Sequence, residues 1–172
     1  ELTDFYKNYA DARPEAGTSV QDYTLPEPTA DAYSEEMLAN AKDFSDYAVV
    51  VVARVSGECF DLPTDMYEVI HNDSFDPDNQ SIAENGTYTN NGDYDDFEKG
   101  QSYLTLDKTE QDMVALVCKN FDNVIVVYNG ANTMEMNWTD KYPQIKGVLL
   151  CPGAGSTGFN ALGEIFTTWI YF

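Results

Sequence analysis

The segment Arg54-Val55-Ser56-Gly57-Glu58-Cys59-Phe60-Asp61 sets a hydroxyl and two carboxylates close behind a run of β-branched residues, Tyr47–Ala53 (YAVVVVA). A strand that ends in an arginine and then turns at a glycine projects Glu58 and Asp61 from its carboxyl end. The chemistry open to such a turn is carboxylate chemistry, proton transfer or the holding of a polar ligand. The ordinary alternative is a solvated loop.

Other chemistries find less support. The chain of 172 residues has one histidine, His71, which alone builds neither a histidine metal centre nor a Ser-His-Asp triad. Cys59, Cys118 and Cys151 match no metal-ligand spacing and no disulfide framework. Cys118 falls in a helical pattern and Cys151 ends a strand-like run, which reads as core packing. Gly153-Ala154-Gly155 before a helix lacks the third glycine of a dinucleotide fingerprint and the Lys-Ser/Thr of a phosphate loop. The acidic groups Asp73, Asp76, Asp78 and Asp93, Asp95, Asp96 lack the calcium-loop spacing. No metal and no cofactor are expected. Four sequons, at Asn72, Asn79, Asn85 and Asn137, are no more than chance supplies in an Asn-rich chain.

Nine basic against 30 acidic residues give a net charge of −21. A field of that sign repels nucleic acid and anionic membranes. No stretch approaches the roughly 18 apolar residues of a spanning helix. Residues 1–9 lack the basic and apolar regions of a signal peptide, and localisation stays open. Aromatic residues are 13% of the chain, suited both to packing and to stacking on ligand faces.

The elements that position the turn follow from hydrophobic period. Residues 1–30, broken by Pro14, Gly17, Pro26 and Pro28, read as an irregular arm, and a short helix capped by Asp31 or Ser34 completes a unit over 1–44. Met37, Leu38, Ala41 and Phe44 form its apolar stripe. The unbroken β-branched run at 47–53 predicts a strand buried on both faces. A long polar loop, 54–102, follows. Asp107 and Glu110 stand at capping-box spacing, ahead of Val114, Val117, Cys118 and Phe121 at helical period. Residues 123–128 and 147–151 predict two more strands, 133–138 a short helix, and 156–166 a last helix before an aromatic tail, 167–172. Alternating strands and helices predict an α/β fold over 45–172, a three-layer αβα sandwich with a mainly parallel sheet. Ligands of such sheets bind at the carboxyl ends of the strands, which here carry 54–58, 129–132 and 152–155.

At those strand ends the chain resembles a known family. Arg54 to Asp61 is similar to the Arg-x-Ser-Gly-Glu-Gly-x-Asp stretch in the α/β sandwich domain of family 3 glycoside hydrolases, the β-glucosidase family. Tyr103-Leu104-Thr105-Leu106-Asp107, then Phe121 to Asn132, then Ile145 to Gly155 with Gly158 to Gly163, resemble the landmarks that follow, in order. The likeness runs from about residue 45 to 166. It implies a retaining, exo-acting β-glycosidase that removes terminal non-reducing β-linked glucose from a β-glucoside or oligosaccharide. In that family a (β/α)8 barrel supplies an aspartate nucleophile, and the sandwich loop supplies a glutamate acid/base. On that resemblance Glu58 is the acid/base, and Arg54, Ser56 and Asp61 orient the loop or contact the sugar.

Three departures qualify the likeness. Cys59 stands where the family has glycine, a change that strains any position needing positive φ. The 172 residues contain no barrel, so the partner carboxylate is not among them and the chain alone is expected to be inactive or nearly so. The tail 167–172 replaces the family's continuing segment. Two other readings stay open: a non-catalytic carbohydrate- or protein-binding α/β module, and an α/β fragment whose exposed docking face makes it self-associate.

Overall fold

A computed structural model of the chain describes residues 2–12, 27–54, 65, 67, 98–153, 155 and 157–169. In order, the elements are α1 (Leu2–Asp11), a 3-10 turn (Ala30–Ala32), α2 (Glu35–Phe44), β1 (Tyr47–Ala53), α3 (Lys108–Asn120), β2 (Asn123–Asn129), a second 3-10 turn (Asn137–Lys141), β3 (Ile145–Leu150) and α4 (Phe159–Trp169). The three strands form one parallel sheet in the order β1-β2-β3, an α/β sandwich as the alternating pattern requires.

Local chemistry sets the helix starts. The Ser34 side chain accepts from the Met37 amide at 3.1 Å, so of the two expected caps it is Ser34 that opens α2. Glu35 and Glu36 lie in its first turn and Lys42 in its last, where the helix dipole favours each sign. The capping box of α3 is complete. Asp107 Oδ1 accepts from the Glu110 amide at 2.7 Å, and Glu110 Oε2 accepts from the Asp107 amide at 3.0 Å.

β1 and β2 run in register from Tyr47↔Asn123 to Ala53↔Asn129, and a register shift between Val124 and Ile125 sets β3 against β2. Helix α3 lies across β1 and β2. Between them Val50, Val52, Met113, Val114, Cys118, Val124 and Val126 make the core, closed by Leu106, Phe121 and Trp138. Because the sheet is parallel, all three strands present their carboxyl ends at one edge.

Several expectations change at this level. β1 is not buried on both faces: Val50 and Val52 are, but Tyr47, Val49 and Val51 are 43%, 45% and 47% exposed. A β-branched run satisfies strand propensity whether or not a layer covers its second face. The arm is not wholly irregular, since Leu2–Asp11 is a helix. Its signal was present in Leu2, Phe5, Tyr6 and Tyr9, at i, i+3, i+4 and i+7, ahead of the prolines. The short helix expected at 133–138 is a 3-10 turn at Asn137–Lys141. The last helix runs through Trp169, so the aromatic tail begins inside it. Cys118 is buried as expected, whereas Cys151 is half-buried.

Candidate functional site

Arg54 is the first residue after β1 and is buried at the sheet's carboxyl edge. Its amide bonds the Asn129 carbonyl at 3.2 Å, which carries the β1–β2 ladder one step past the strand. Its side chain turns inward to the start of α3. Nε donates to the Tyr103 carbonyl at 2.6 Å, and Nη1 donates to the Ala53 carbonyl at 2.8 Å and to Glu110 Oε1 at 2.5 Å. Nη2 donates to the Thr105 carbonyl and to Glu110 Oε2, both at 2.6 Å. Those bonds occupy all five donors of a guanidinium. The cation also lies 5.1 Å from the Tyr103 ring centroid.

Glu110 is therefore shared. It closes the capping box and clamps Arg54 through both oxygens, and its side chain, like that of Arg54, is almost wholly excluded from solvent. Asp107 adds an acceptor that serves the Thr109 hydroxyl at 3.0 Å and the Glu110 amide. A third carboxylate approaches from the arm. Glu27 precedes the fully buried Pro28, and the 3-10 turn that follows packs against α3. The Glu27 carbonyl accepts from the Tyr9 hydroxyl at 3.5 Å, and the Tyr6 and Tyr33 hydroxyls meet at 2.7 Å beside it.

One cation among three carboxylates leaves a surplus of negative charge in a dry place. Burial works against the charged guanidinium of Arg54, but the hydrogen bonds and charge of Glu110 more than offset this and hold its pKa above the usual value. Burial, then the charge of Glu110, pushes Asp107 up to about 6. Burial, then Glu110 and Asp107, pushes Glu27 up to about 7. Glu27 Oε2 is buried without a hydrogen-bond partner among the described residues, and a hydrogen bond from Tyr6 to the carboxyl opposes the rise without cancelling it.

A pH dependence follows. A carboxyl with a higher pKa folded than unfolded binds its proton more tightly in the folded chain. Its contribution is complete below the ordinary value of 4.5 and is lost as pH rises through about 7. Glu27→Gln keeps the shape and cannot ionise. It is expected to match the parent near pH 4 and to be more stable by roughly 2 kcal/mol near pH 8, read from denaturant midpoints at both values. A parent chain as stable at pH 8 as at pH 5, relative to the variant, would contradict this.

Beside Arg54 the end of β2 is tight. A Cβ on Gly130 would lie 2.6 Å from the Tyr128 hydroxyl and 3.3 Å from the Arg54 carbonyl. Gly130→Ala is expected to cost about 1–3 kcal/mol by overpacking, seen as a lower denaturation midpoint at unchanged slope.

Of the residues expected at the site, Arg54 lies at the sheet edge with its donors spent inside the chain. Ser56, Glu58 and Asp61, with Cys59, lie outside the described residues. Chain connectivity still bounds the first carboxylate: Glu58 follows Arg54 by four residues, so its backbone is within about 14 Å of Arg54. Glu110 was legible only as a cap, and Glu27 not at all. Among the described residues no three His, Cys, Asp or Glu are grouped to hold a metal ion, and no helix is long and apolar enough to cross a membrane. A groove of about 480 Å³ opens at the start of α3, lined by Gln101, Leu106, Gln111, Trp138 and Tyr142 among others.

No family model matches the chain. Over 134 residues, 78% of its length, it is 30% identical to Beta-glucosidase A of Butyrivibrio fibrisolvens. The chain is related to a glycoside hydrolase. It spans 15% of that relative's length, which makes it similar to one portion of a much larger polypeptide.

Proposed function

We propose that this chain is the α/β sandwich domain of a family 3 β-glycosidase, retaining and exo-acting on terminal β-linked glucose. In this reading the turn after β1 supplies Glu58 as acid/base to a cleft shared with a (β/α)8 barrel of the same polypeptide. The barrel's aspartate attacks the anomeric carbon while Glu58 protonates the departing oxygen, and Glu58 then takes a proton from the water that releases the sugar. Retention requires the two carboxyls about 5–5.5 Å apart, so the turn must be held against the barrel within narrow limits.

The observation that carries the reading is the anchorage of Arg54. A motif that opens at a parallel sheet's carboxyl edge, on a guanidinium with every donor engaged, is built to hold the turn that follows it. The similarity to a β-glucosidase supports the substrate class. Ser56 and Asp61 are assigned to the turn's own hydrogen bonds and to the sugar, and Arg54 to bracing the turn. The deciding experiment is hydrolysis of aryl β-glucosides by the full-length polypeptide and by its Glu58→Ala variant. Unchanged activity in the variant overturns the assignment.

The groove at the start of α3 favours one alternative, a sugar-binding module without catalysis, because the partly exposed Tyr142 ring lies beside amide groups there. That reading expects a glucoside to bind this chain alone and Tyr142→Ala to abolish the binding.

A further inference from the structure

We propose that Glu110 is a positioning residue for the acid/base turn, acting through Arg54; the inference rests on the assignment of Glu58 above. Glu110 touches neither the turn's carboxylates nor the sugar in this proposal. It sets where the turn begins.

The geometry is that of a clamp between two elements far apart in sequence. Glu110 belongs to the first turn of α3, locked to Asp107 by the capping box. Its two oxygens take one donor each from Nη1 and Nη2 of Arg54, at 2.5 and 2.6 Å. That paired geometry fixes the plane of the guanidinium as well as its position, which a single contact does not. The carbonyls of Tyr103 and Thr105, in the approach to α3, hold two of the remaining donors. Arg54 in turn is tied to β2 just past the end of β1, through its amide and the Asn129 carbonyl. The strand therefore fixes the backbone of residue 54, and α3 fixes its side chain.

A lever argument gives the consequence. Glu58 lies at most about 14 Å from Arg54, so a rotation of about 10° at residue 54 can displace it by up to roughly 2 Å. Catalytic groups tolerate about 0.5 Å, and a misplacement of about 1 Å can cost 10²-fold in rate. A modest tilt at the clamp is therefore enough to exceed that tolerance at the acid's greatest reach, and a smaller one suffices for a partial loss.

Glu110→Gln separates the clamp from the helix cap. Glutamine serves at this position of a capping box, so α3 keeps its start. Its amide nitrogen, however, faces an Arg54 donor that has lost its acceptor, and the charge that matched the guanidinium is gone. The fork can then no longer hold one orientation.

The test uses the full-length polypeptide and a series of aryl β-glucosides, from dinitrophenyl, whose leaving group needs no proton, to phenyl, whose leaving group needs one. For Glu110→Gln, kcat/KM is expected to fall about 10- to 100-fold for phenyl and less than about threefold for dinitrophenyl, as misplacement of an acid requires. A purely structural role lowers all substrates by one factor, and that outcome overturns the proposal, as does no loss. Arg54→Lys, which keeps the buried charge without the fork, is a second variant should the first not fold. It is expected to show the same dependence on leaving group, and a parental profile overturns the proposal. Glu58→Ala in the same series separates the two levels. If its losses do not steepen toward phenyl, the acid/base assignment falls and this inference with it. If they do and the Glu110→Gln profile is flat, the positioning role alone is wrong.

Discussion

Arg54→Met is expected to destabilise the fold by about 3–5 kcal/mol, the usual consequence of removing one partner from a buried ion pair. The variant deletes the cation that pairs with Glu110 and whose charge also acts on Asp107. It also empties three backbone acceptors, the carbonyls of Ala53, Tyr103 and Thr105, that the guanidinium serves. Methionine fills much of the volume, so the loss reflects orphaned charge rather than a cavity. A whole domain is typically stable by only about 5–15 kcal/mol, and a loss of this size leaves little margin. Denaturant midpoints measure it, and a second variant identifies its source. Arg54→Met combined with Glu110→Gln carries one more substitution yet one fewer buried charge, and is expected to be about 1–3 kcal/mol more stable than Arg54→Met alone. A double variant no better than the single one would place the cost elsewhere.

On the acid/base assignment proposed above, Glu58→Ala in the full-length polypeptide is expected to lower kcat/KM for phenyl β-glucoside about 10²- to 10⁴-fold, the usual contribution of a positioned general acid. For dinitrophenyl the first step needs no acid and should be nearly preserved, while release of the sugar, which needs the base, becomes limiting. Azide then offers a diagnostic. It needs no base to attack the anomeric carbon, so the bond from that carbon to the enzyme's carboxylate breaks as the bond to nitrogen forms. The expected result is faster turnover with a glycosyl azide of retained configuration. A variant that is slow with every leaving group and indifferent to azide would show that Glu58 shapes the turn without transferring a proton.

Much of the architecture is legible in residue order because its causes are local. Ser34 and the pair Asp107 and Glu110 announce helix starts through contacts three residues apart. The β-branched runs at 47–53 and 123–128 become parallel strands, and the helical period of Val114, Val117, Cys118 and Phe121 becomes α3. The arm was harder to read. Its first helix rests on aromatic residues that gain their packing only when Phe5 and Tyr6 meet Tyr33, at centroid distances of 5.1 and 6.4 Å.

For the candidate site, residue order by itself determined that an arginine directly follows the first strand and that two carboxylates, Glu58 and Asp61, come soon after it. It also carries the resemblance on which the proposed role of Glu58 rests. What those residues lean on was decided by the tertiary structure. Arg54 and Glu110 lie 56 positions apart, and Glu27 and Glu110 further still, and no period or cap relates them. Their meeting depends on β1 lying under the start of α3 and on the arm returning across it. Charge placement of this kind is long-range: its energy depends on burial and on distances that exist only once the sheet, helix and arm have packed. The sequence shows Glu110 as a helix cap; only the folded chain makes it the clamp on Arg54.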